Sequence, residues 1–249
     1  MADLGAAALP ILALAAVAGA ADLFGAWLAL RREHFDDPRY IIAFSSGIVV
    51  AAVFFELLPE SMEGADAAGL RTLAAVMALG FFTFYVVEKA IMLHACGEPE
   101  CTTHAFSPTM VAGMAADNVI DGVGIAVGFL ISPTVGVILT AVIVAHEIPQ
   151  GLTSAELLKH AKWPKRKIVV VLGLAGAAYV IGALLSTVIP EEAFKPALAF
   201  VTGTFIYIGA ADLMAEAHRK FNARVILTVL AGALLMFTLG TIEGAFVVA

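Results

Sequence analysis

Eight stretches of the chain are apolar over about 20 residues each, the length that an α-helix needs to cross a bilayer. Their approximate limits are 5–30, 40–60, 68–94, 107–131, 134–158, 167–189, 196–217 and 223–248. A spanning segment must satisfy its own backbone hydrogen bonds, so each stretch is predicted to be a helix. The composition agrees, because 61% of the residues are hydrophobic and only 14% are charged, against about 25% charged in a soluble domain. The chain is therefore predicted to be an all-α polytopic membrane protein.

Lys and Arg residues lie mostly in alternate connections between these spans. The odd-numbered connections contain 12 of the 14 Lys and Arg residues, and the even-numbered ones contain only Arg71 and Lys195. Cytoplasmic loops are enriched in these residues, so the odd connections are predicted to face the cytoplasm and both termini to face outward. The first stretch has neither a basic leader nor a convincing cleavage site, and we interpret it as a retained span rather than a signal peptide.

Spans 2 and 7 resemble each other at an offset of 156 residues. The coincident pairs are Phe44 and Phe200, Gly47 and Gly203, and Glu56 and Asp212. Because the predicted topology runs these spans in opposite directions, the repeats are inverted, with spans 1–3 related to spans 6–8 and spans 4–5 as a central pair. Alternating-access transporters are built in this way. Residues 1–249 are thus predicted to form a single transmembrane transporter domain with a 3+2+3 arrangement.

Two adjacent spans carry polar side chains near their middles, where a charged group costs about 2.5–3.5 kcal/mol by insertion scales. Asp117 and Asp121 lie four residues apart on span 4. His146 and Gln150 have the same spacing on span 5, so each set occupies one helical face. The two spans are antiparallel, which brings both sets to the same depth. The candidate metal ligands are Asp117, Asn118, Asp121, His146, Glu147 and Gln150.

Carboxylate oxygen and imidazole nitrogen together suit borderline divalent ions such as zinc, iron, manganese or cobalt. Pro149 leaves the Ala145 carbonyl without its helical donor and is expected to bend span 5 beside the ligands. The alternative is a hydrogen-bonded network that only ties the helices together, but three acids and one histidine would still need a counter-cation. The sequence therefore indicates a metal site near the middle of the membrane, on a transport path.

These motifs resemble those of the ZIP divalent-metal transporters. Members of that family carry a pattern close to His-Asn-x-x-Asp/Glu-Gly on the fourth span and His-Glu/Asn-x-Pro-His/Glu-Glu/Gly on the fifth. This chain has Asp-Asn-Val-Ile-Asp-Gly at 117–122 and His-Glu-Ile-Pro-Gln-Gly at 146–151. The Leu-Leu-Pro-Glu motif at 57–60 and the number of spans, eight, also resemble those of ZIP transporters. The resemblance implies a ZIP-like bundle that takes up zinc, iron or manganese without ATP.

Two positions depart from the usual family pattern. Asp117 stands where the family usually has histidine, and Gln150 where many members have a carboxylate or histidine. Replacing nitrogen by oxygen hardens the site, which favours manganese or iron beside zinc. Members with two adjacent metals usually have a further glutamate on the sixth span, which here has no ionisable residue except Tyr179. We therefore expect one principal ion, balanced by three carboxylates.

Other polar residues have two interpretations each. Four acids are predicted to be entrance and exit relays, the alternative being a structural role: Glu56, Glu60, Asp212 and Glu216. The third connection resembles a metal-binding loop of the family. It is interpreted either as a loop that captures metal or as a solvated turn, and its candidate ligands are His94, Cys96, Cys101 and His104. The isolated acids are interpreted as interfacial or helix-pairing groups: Asp22, Glu88, Glu156 and Glu243.

Two rival functions fit parts of the pattern. His146-Glu147 opens the H-E-x-x-H motif of a zinc protease, but Gln150 replaces the second histidine and Pro149 lies within the required helical turn, so no enzyme is expected. A proton-coupled carrier of an organic solute would favour a roomier cavity with aromatic or cationic groups, and no Lys or Arg lies in the middle of a span. The expected partners are divalent metal ions, as cargo rather than cofactor, and the lipid bilayer. Homodimerisation is left open, nucleic acid is not expected, and the expected location is a bacterial inner membrane.

Overall fold

The computed structural model describes residues 4–31, 38–95, 108–219 and 222–247, and these ranges are helical almost throughout and contain no β-strand. The proposed loop ligands Cys96, Cys101 and His104 lie outside the described residues, and only the backbone of His94 is described. The prediction that this connection captures metal therefore stays a prediction.

Eleven α-helices occur in the described ranges, several of them joined end to end. The longer ones are α1 (Leu4–Arg31), α2 (Arg39–Ala52), α4 (Ala67–Ala95), α5 (Pro108–Ile131), α6 (Pro133–His160), α7 (Lys165–Gly176), α8 (Ala178–Leu185), α9 (Phe194–Ile206) and α11 (Ala223–Val247). The short ones are α3 (Leu58–Met62) and α10 (Met214–Ala217). Single turns of 3₁₀-helix lie at Ser186–Val188 and Glu191–Ala193.

The helices confirm the predicted all-α polytopic fold. Each predicted span agrees with a helix or a joined run of helices to within two residues at either end; for example, residues 134–158 correspond to α6. Seven of these segments are long and apolar enough to cross a membrane. A shorter apolar segment, Ala223–Thr238, begins the last helix, α11. Length and hydrophobicity alone were sufficient to find every span, because helical continuity is enforced wherever water is excluded.

The helices form two compact units. The first unit contains α1, α4 from Thr83 onward, and α5 to α8. The second contains α2, α3, α4 up to Phe82, and α9 to α11. All six predicted ligands on α5 and α6 belong to the first unit.

Helices α5 and α6 form a tight antiparallel hairpin in the first unit. Ser132 is the one residue between them that is not helical. Its amide donates to the Gly128 carbonyl (2.9 Å), and its own carbonyl accepts from the Gly136 amide (3.1 Å), so the backbone is satisfied through the turn. Helix α6 then continues through Pro149. The hairpin fixes the relative depth of the polar residues on the two helices.

Helix α1 packs directly against α6 at two glycines. A Cβ at Gly25 would collide with the Ile148 carbonyl, and a Cβ at Gly151 would collide with the Asp22 carbonyl. Farther along, Lys159 Nζ donates to the Ala29 carbonyl (2.9 Å) and pairs with Glu156 (2.8 Å). Backbone contact at Gly151 brings α1 close to the polar part of α6.

The second unit contains two π-helical segments that the sequence did not predict. Val53–Leu57 joins α2 to α3, and Tyr207–Leu213 joins α9 to α10. Ser46 Oγ, buried on α2, donates a hydrogen bond to the Gly209 carbonyl (3.1 Å) inside the second segment. Such segments occur frequently at functional sites. Each contains one of the acids predicted to be relays, Glu56 or Asp212.

Candidate metal centre

The imidazole of His146 lies between two carboxylates from different helices. Its Nε2 is 3.2 Å from Asp121 Oδ2 on α5 and 3.1 Å from Glu147 Oε1 on α6. Asp117, one turn before Asp121, offers an oxygen that lies within 4.8 Å of ligand atoms of both His146 and Glu147. All four side chains are buried. The α5–α6 hairpin therefore gathers three carboxylates around the His146 ring.

The orientation of the His146 ring is set by its own helix. Nδ1 lies 3.2 Å from the Val142 carbonyl, one turn earlier. Since a carbonyl can only accept, Nδ1 is the protonated nitrogen of this contact. In a neutral ring Nε2 is then the nitrogen that carries the lone pair, the form in which histidine binds metal.

The spacing of the donor atoms fits a first-row divalent ion. Bonds to zinc of about 2.0–2.2 Å place neighbouring donors about 3.3–3.6 Å apart in a tetrahedral site and about 3 Å apart with six ligands. The distances from Nε2 to Asp121 and Glu147 fall between these values. The same two distances also suit a hydrogen bond from a protonated Nε2, so either a metal ion or a proton can lie between Nε2 and these carboxylates.

The two amides of the predicted ligand set differ in their partners. Asn118 is buried on α5, and its Nδ2 donates to the Ala175 carbonyl (2.9 Å) at the end of α7. This bond holds the amide in place, while Oδ1 has no hydrogen-bond partner among the described residues. Gln150 is only half-buried, and its side chain interacts with Asp117. Either amide oxygen is therefore available as an additional ligand.

The buried charge of the cluster has few partners in the protein. Among the described residues, no Lys or Arg forms an ion pair with Asp117, Asp121 or Glu147, and His146 is the one titratable base beside them. Removing charges from water is unfavourable by several kcal/mol per ion unless they are well paired. The cluster is therefore a site that a bound cation would stabilise.

Two residues beside the cluster were missed or undervalued from the sequence. Asp22 on α1 is fully buried, and its carboxylate interacts electrostatically with that of Glu147. Tyr179 on α8 is also fully buried, and its phenol interacts with the same carboxylate and with Asp121. Of the two interpretations given to Asp22, its burial against α6 argues against an interfacial group and leaves a helix-pairing group open. The signal was present, since a lone carboxylate in the middle of an apolar span is rarely without a function.

The four predicted relay residues are all in the second unit. Glu56 and Glu60 are partly buried, on the first π-helical segment and on α3. Asp212 is exposed, and Glu216 on α10 pairs with Arg219 Nε at 2.8 Å. They thus belong to a different unit from the metal cluster, and their role as relays stays a prediction.

The fold and the cluster together define a class: a polytopic helical membrane protein with a buried carboxylate–imidazole cluster suited to a divalent cation. The family model described as "ZIP Zinc transporter" matches residues 94–240, which is more than half of the chain. The chain belongs to the ZIP zinc transporter family.

Curated proteins similar to this chain are zinc transporters of eukaryotes. Zinc transporter ZIP13 of Pongo abelii is 26% identical over 218 residues, covering 80% of this chain and 65% of that protein. Zinc transporter ZIP13 of Mus musculus is 26% identical over 252 residues, covering 81% and 69%. Zinc transporter YKE4 of Saccharomyces cerevisiae is 21% identical over 209 residues, covering 71% and 60%. The chain thus spans about two thirds of the length of these relatives. They support a multi-pass membrane protein but give no support for a bacterial inner membrane.

Proposed function

We propose that this chain transports divalent transition-metal ions across a membrane, with zinc as the principal cargo. The observation that carries the proposal is the convergence of Asp121 and Glu147 on His146 Nε2, with Asp117 close by, in a buried site. Asn118 and Gln150 are proposed as weaker or shared ligands. Membership of the ZIP family and the zinc transporters among its relatives support zinc in particular.

The donor set also bears on which other metals are carried. It offers three carboxylates and one imidazole, and α5 and α6 contain no cysteine. Oxygen-rich sites bind harder ions such as manganese and iron(II) better than sites of nitrogen and sulfur do. We therefore include manganese and iron as secondary substrates of the same site.

The proposed transport runs inward through a site near the middle of the membrane and needs no ATP. The connections between consecutive helices are at most about a dozen residues long, far shorter than a nucleotide-binding domain of the usual size of about 50–200 residues. The two π-helical segments support the proposed inverted repeat, because the 156-residue offset carries Val53 and Leu57 onto Gly209 and Leu213, inside Tyr207–Leu213. The relay role of Glu56 and Asp212 is part of this proposal.

The test is metal uptake by the purified full chain in sealed proteoliposomes, with zinc, manganese and iron(II) compared in parallel. The wild type is expected to accumulate zinc down its gradient, and His146→Ala to accumulate none. Glu156→Gln is the matched control, because Glu156 lies on the same helix but pairs with Lys159 outside the cluster. No metal movement by the wild type in either direction would overturn the proposal. Equal uptake by His146→Ala and the wild type would overturn the assigned site.

A further inference from the structure

Asp22 is the one acid of α1 within the described residues, and it is fully buried. Neither of its carboxylate oxygens has a hydrogen-bond partner among the described residues. A carboxylate in this state is strongly unfavourable in the interior of an apolar span. Its presence therefore needs a cause other than the packing of α1.

The carboxylate of Asp22 is directed toward α6. A Cβ placed on Gly151 would lie 2.5 Å from Asp22 Oδ1, so this oxygen touches the surface of α6 at that glycine. Glu147 lies four residues before Gly151 and thus on the same helical face. The carboxyl groups of Asp22 and Glu147 interact electrostatically, and the interaction is repulsive when both are ionised.

Helices α5, α6, α7 and α8 pack against α1, and among their described residues no Lys or Arg forms an ion pair with Asp22 or Glu147. Helices α5 and α8 contain no Lys or Arg at all. On α6, Lys159 is held by the Ala29 carbonyl and by Glu156. On α7, the approach to α1 is made by glycine, with Gly176 against Gly19. His146 is in contact with Asp121 and Glu147 and is the one base on this part of α6. Asp22 Oδ1 therefore lies against Gly151 at the seam between α1 and α6, one helical turn from Glu147.

We propose that Asp22 and Glu147 form a cation subsite at the α1–α6 seam, adjacent to the His146 cluster and sharing Glu147 with it. The inference rests on the proposed transport function and adds a ligand from α1. Only carboxylate oxygens are assigned to the subsite, so it takes a hard divalent ion such as Mn²⁺ in preference to one that favours nitrogen. Zinc is held mainly by the imidazole of His146.

The additional carboxylate changes the expected number of ions. The expectation of one principal ion depended on three carboxylates, which balance one divalent ion with one negative charge to spare. With Asp22 the first unit gathers four carboxylates, and these can neutralise two divalent ions. The charge argument for a single ion therefore no longer applies.

The test is metal binding to the purified full chain in detergent, measured by equilibrium dialysis and elemental analysis with Mn²⁺ and with Zn²⁺. The variants are Asp22→Asn, which keeps the shape of the side chain, His146→Ala, and Glu156→Gln as a control acid outside the cluster. Loss of an outer partner of a metal ligand typically weakens binding by about 10–100-fold, so loss of a direct ligand is expected to weaken Mn²⁺ binding by about 100-fold. Asp22→Asn is expected to bind one tight Mn²⁺ fewer than the wild type and to keep its zinc at His146.

The outcomes separate this inference from the proposed function. If His146→Ala loses metal while Asp22→Asn binds Mn²⁺ as the wild type does, the subsite is refuted and the His146 site stands. If the wild type binds no metal that His146→Ala loses, the proposed function itself fails. Asp22→Ser, which is smaller, replaces Asp22→Asn if the latter does not fold. Failure of both to fold, with Glu156→Gln folded, would show that Asp22 only joins α1 to α6 and would overturn the subsite.

Discussion

Replacing Gly151 by alanine is expected to separate α1 from α6 and to destabilise the first unit. A Cβ at this position would lie 2.8 Å from the Asp22 backbone carbon, whereas ordinary contact begins at 3.4 Å. The helices must therefore move apart by about 0.6 Å or more, and backbone atoms cannot rotate away as a flexible side chain can. Overpacking of this kind typically costs about 1–3 kcal/mol. The gain from replacing glycine by alanine in a helix offsets about 0.5–1 kcal/mol of it.

The expected net change for Gly151→Ala is thus a loss of up to about 2.5 kcal/mol in the free energy of unfolding, with a central value of about 1.2 kcal/mol. Gly173→Ala on α7 is the matched control, since its Cβ would meet only Leu23 Cδ2, at 3.9 Å. That variant is expected to be neutral or slightly stabilised. The assay is denaturant unfolding of both variants in one detergent. Separate portions of the same preparations are then tested for zinc uptake in proteoliposomes. If Gly151→Ala unfolds like Gly173→Ala and transports normally, the direct backbone contact between α1 and α6 is not as described.

Four further substitutions, with one control outside the cluster, test the cluster itself. Asp121→Ala and His146→Ala are each expected to abolish zinc binding measured by calorimetry, because the remaining buried carboxylates repel one another. The control Glu191→Ala, at an exposed position, is expected to change zinc binding little. Equal losses of zinc binding in the cluster variants and in the control would contradict the assigned site. Gln150→Glu is expected to lower the melting temperature in chelator and to increase the rise in melting temperature that Mn²⁺ produces, since it adds a charge beside Asp117. An unchanged response of the melting temperature to Mn²⁺ would argue against Gln150 as a ligand. Asn118→Leu removes the hydrogen bond from Asn118 to the Ala175 carbonyl and is expected to lower the free energy of unfolding by about 1 kcal/mol. It is also expected to weaken zinc binding. A normal zinc affinity in this variant would restrict Asn118 to a structural role.

The sequence was sufficient for the spans and for the proximity of the proposed ligands on α5 and α6. Both depended on local regularities: apolar length for the helices, and the spacing of four residues that places Asp117 above Asp121. The Ile131–Thr134 connection was short enough to require an antiparallel pair, so the common depth of the two sets also followed. These features need no knowledge of which distant helices touch.

Asp22 required such knowledge, and the sequence did not supply it. Its approach to Glu147 depends on the backbone contact of α1 with α6 at Gly25 and Gly151, and each glycine alone is unremarkable in a membrane helix. The π-helical segments were missed for a related reason. An apolar helix has the same hydrophobic pattern whether its hydrogen bonds close over four residues or five, and Ser46, which binds the Gly209 carbonyl, is distant in sequence.

The π-helical segments have a consequence for the angular positions of the acids that follow them in the chain. A turn closed over five residues holds one residue more than an α-helical turn, and one residue corresponds to a rotation of about 100° and a rise of about 1.5 Å. Everything beyond Leu57 or Leu213 is therefore rotated by about that angle relative to an uninterrupted helix. A single deletion within either segment would turn Glu60 or Glu216 to a different face while shortening the helix by only about 1.5 Å. The helical face on which Glu60 or Glu216 lies can thus change through one deletion, without any substitution of the acid itself.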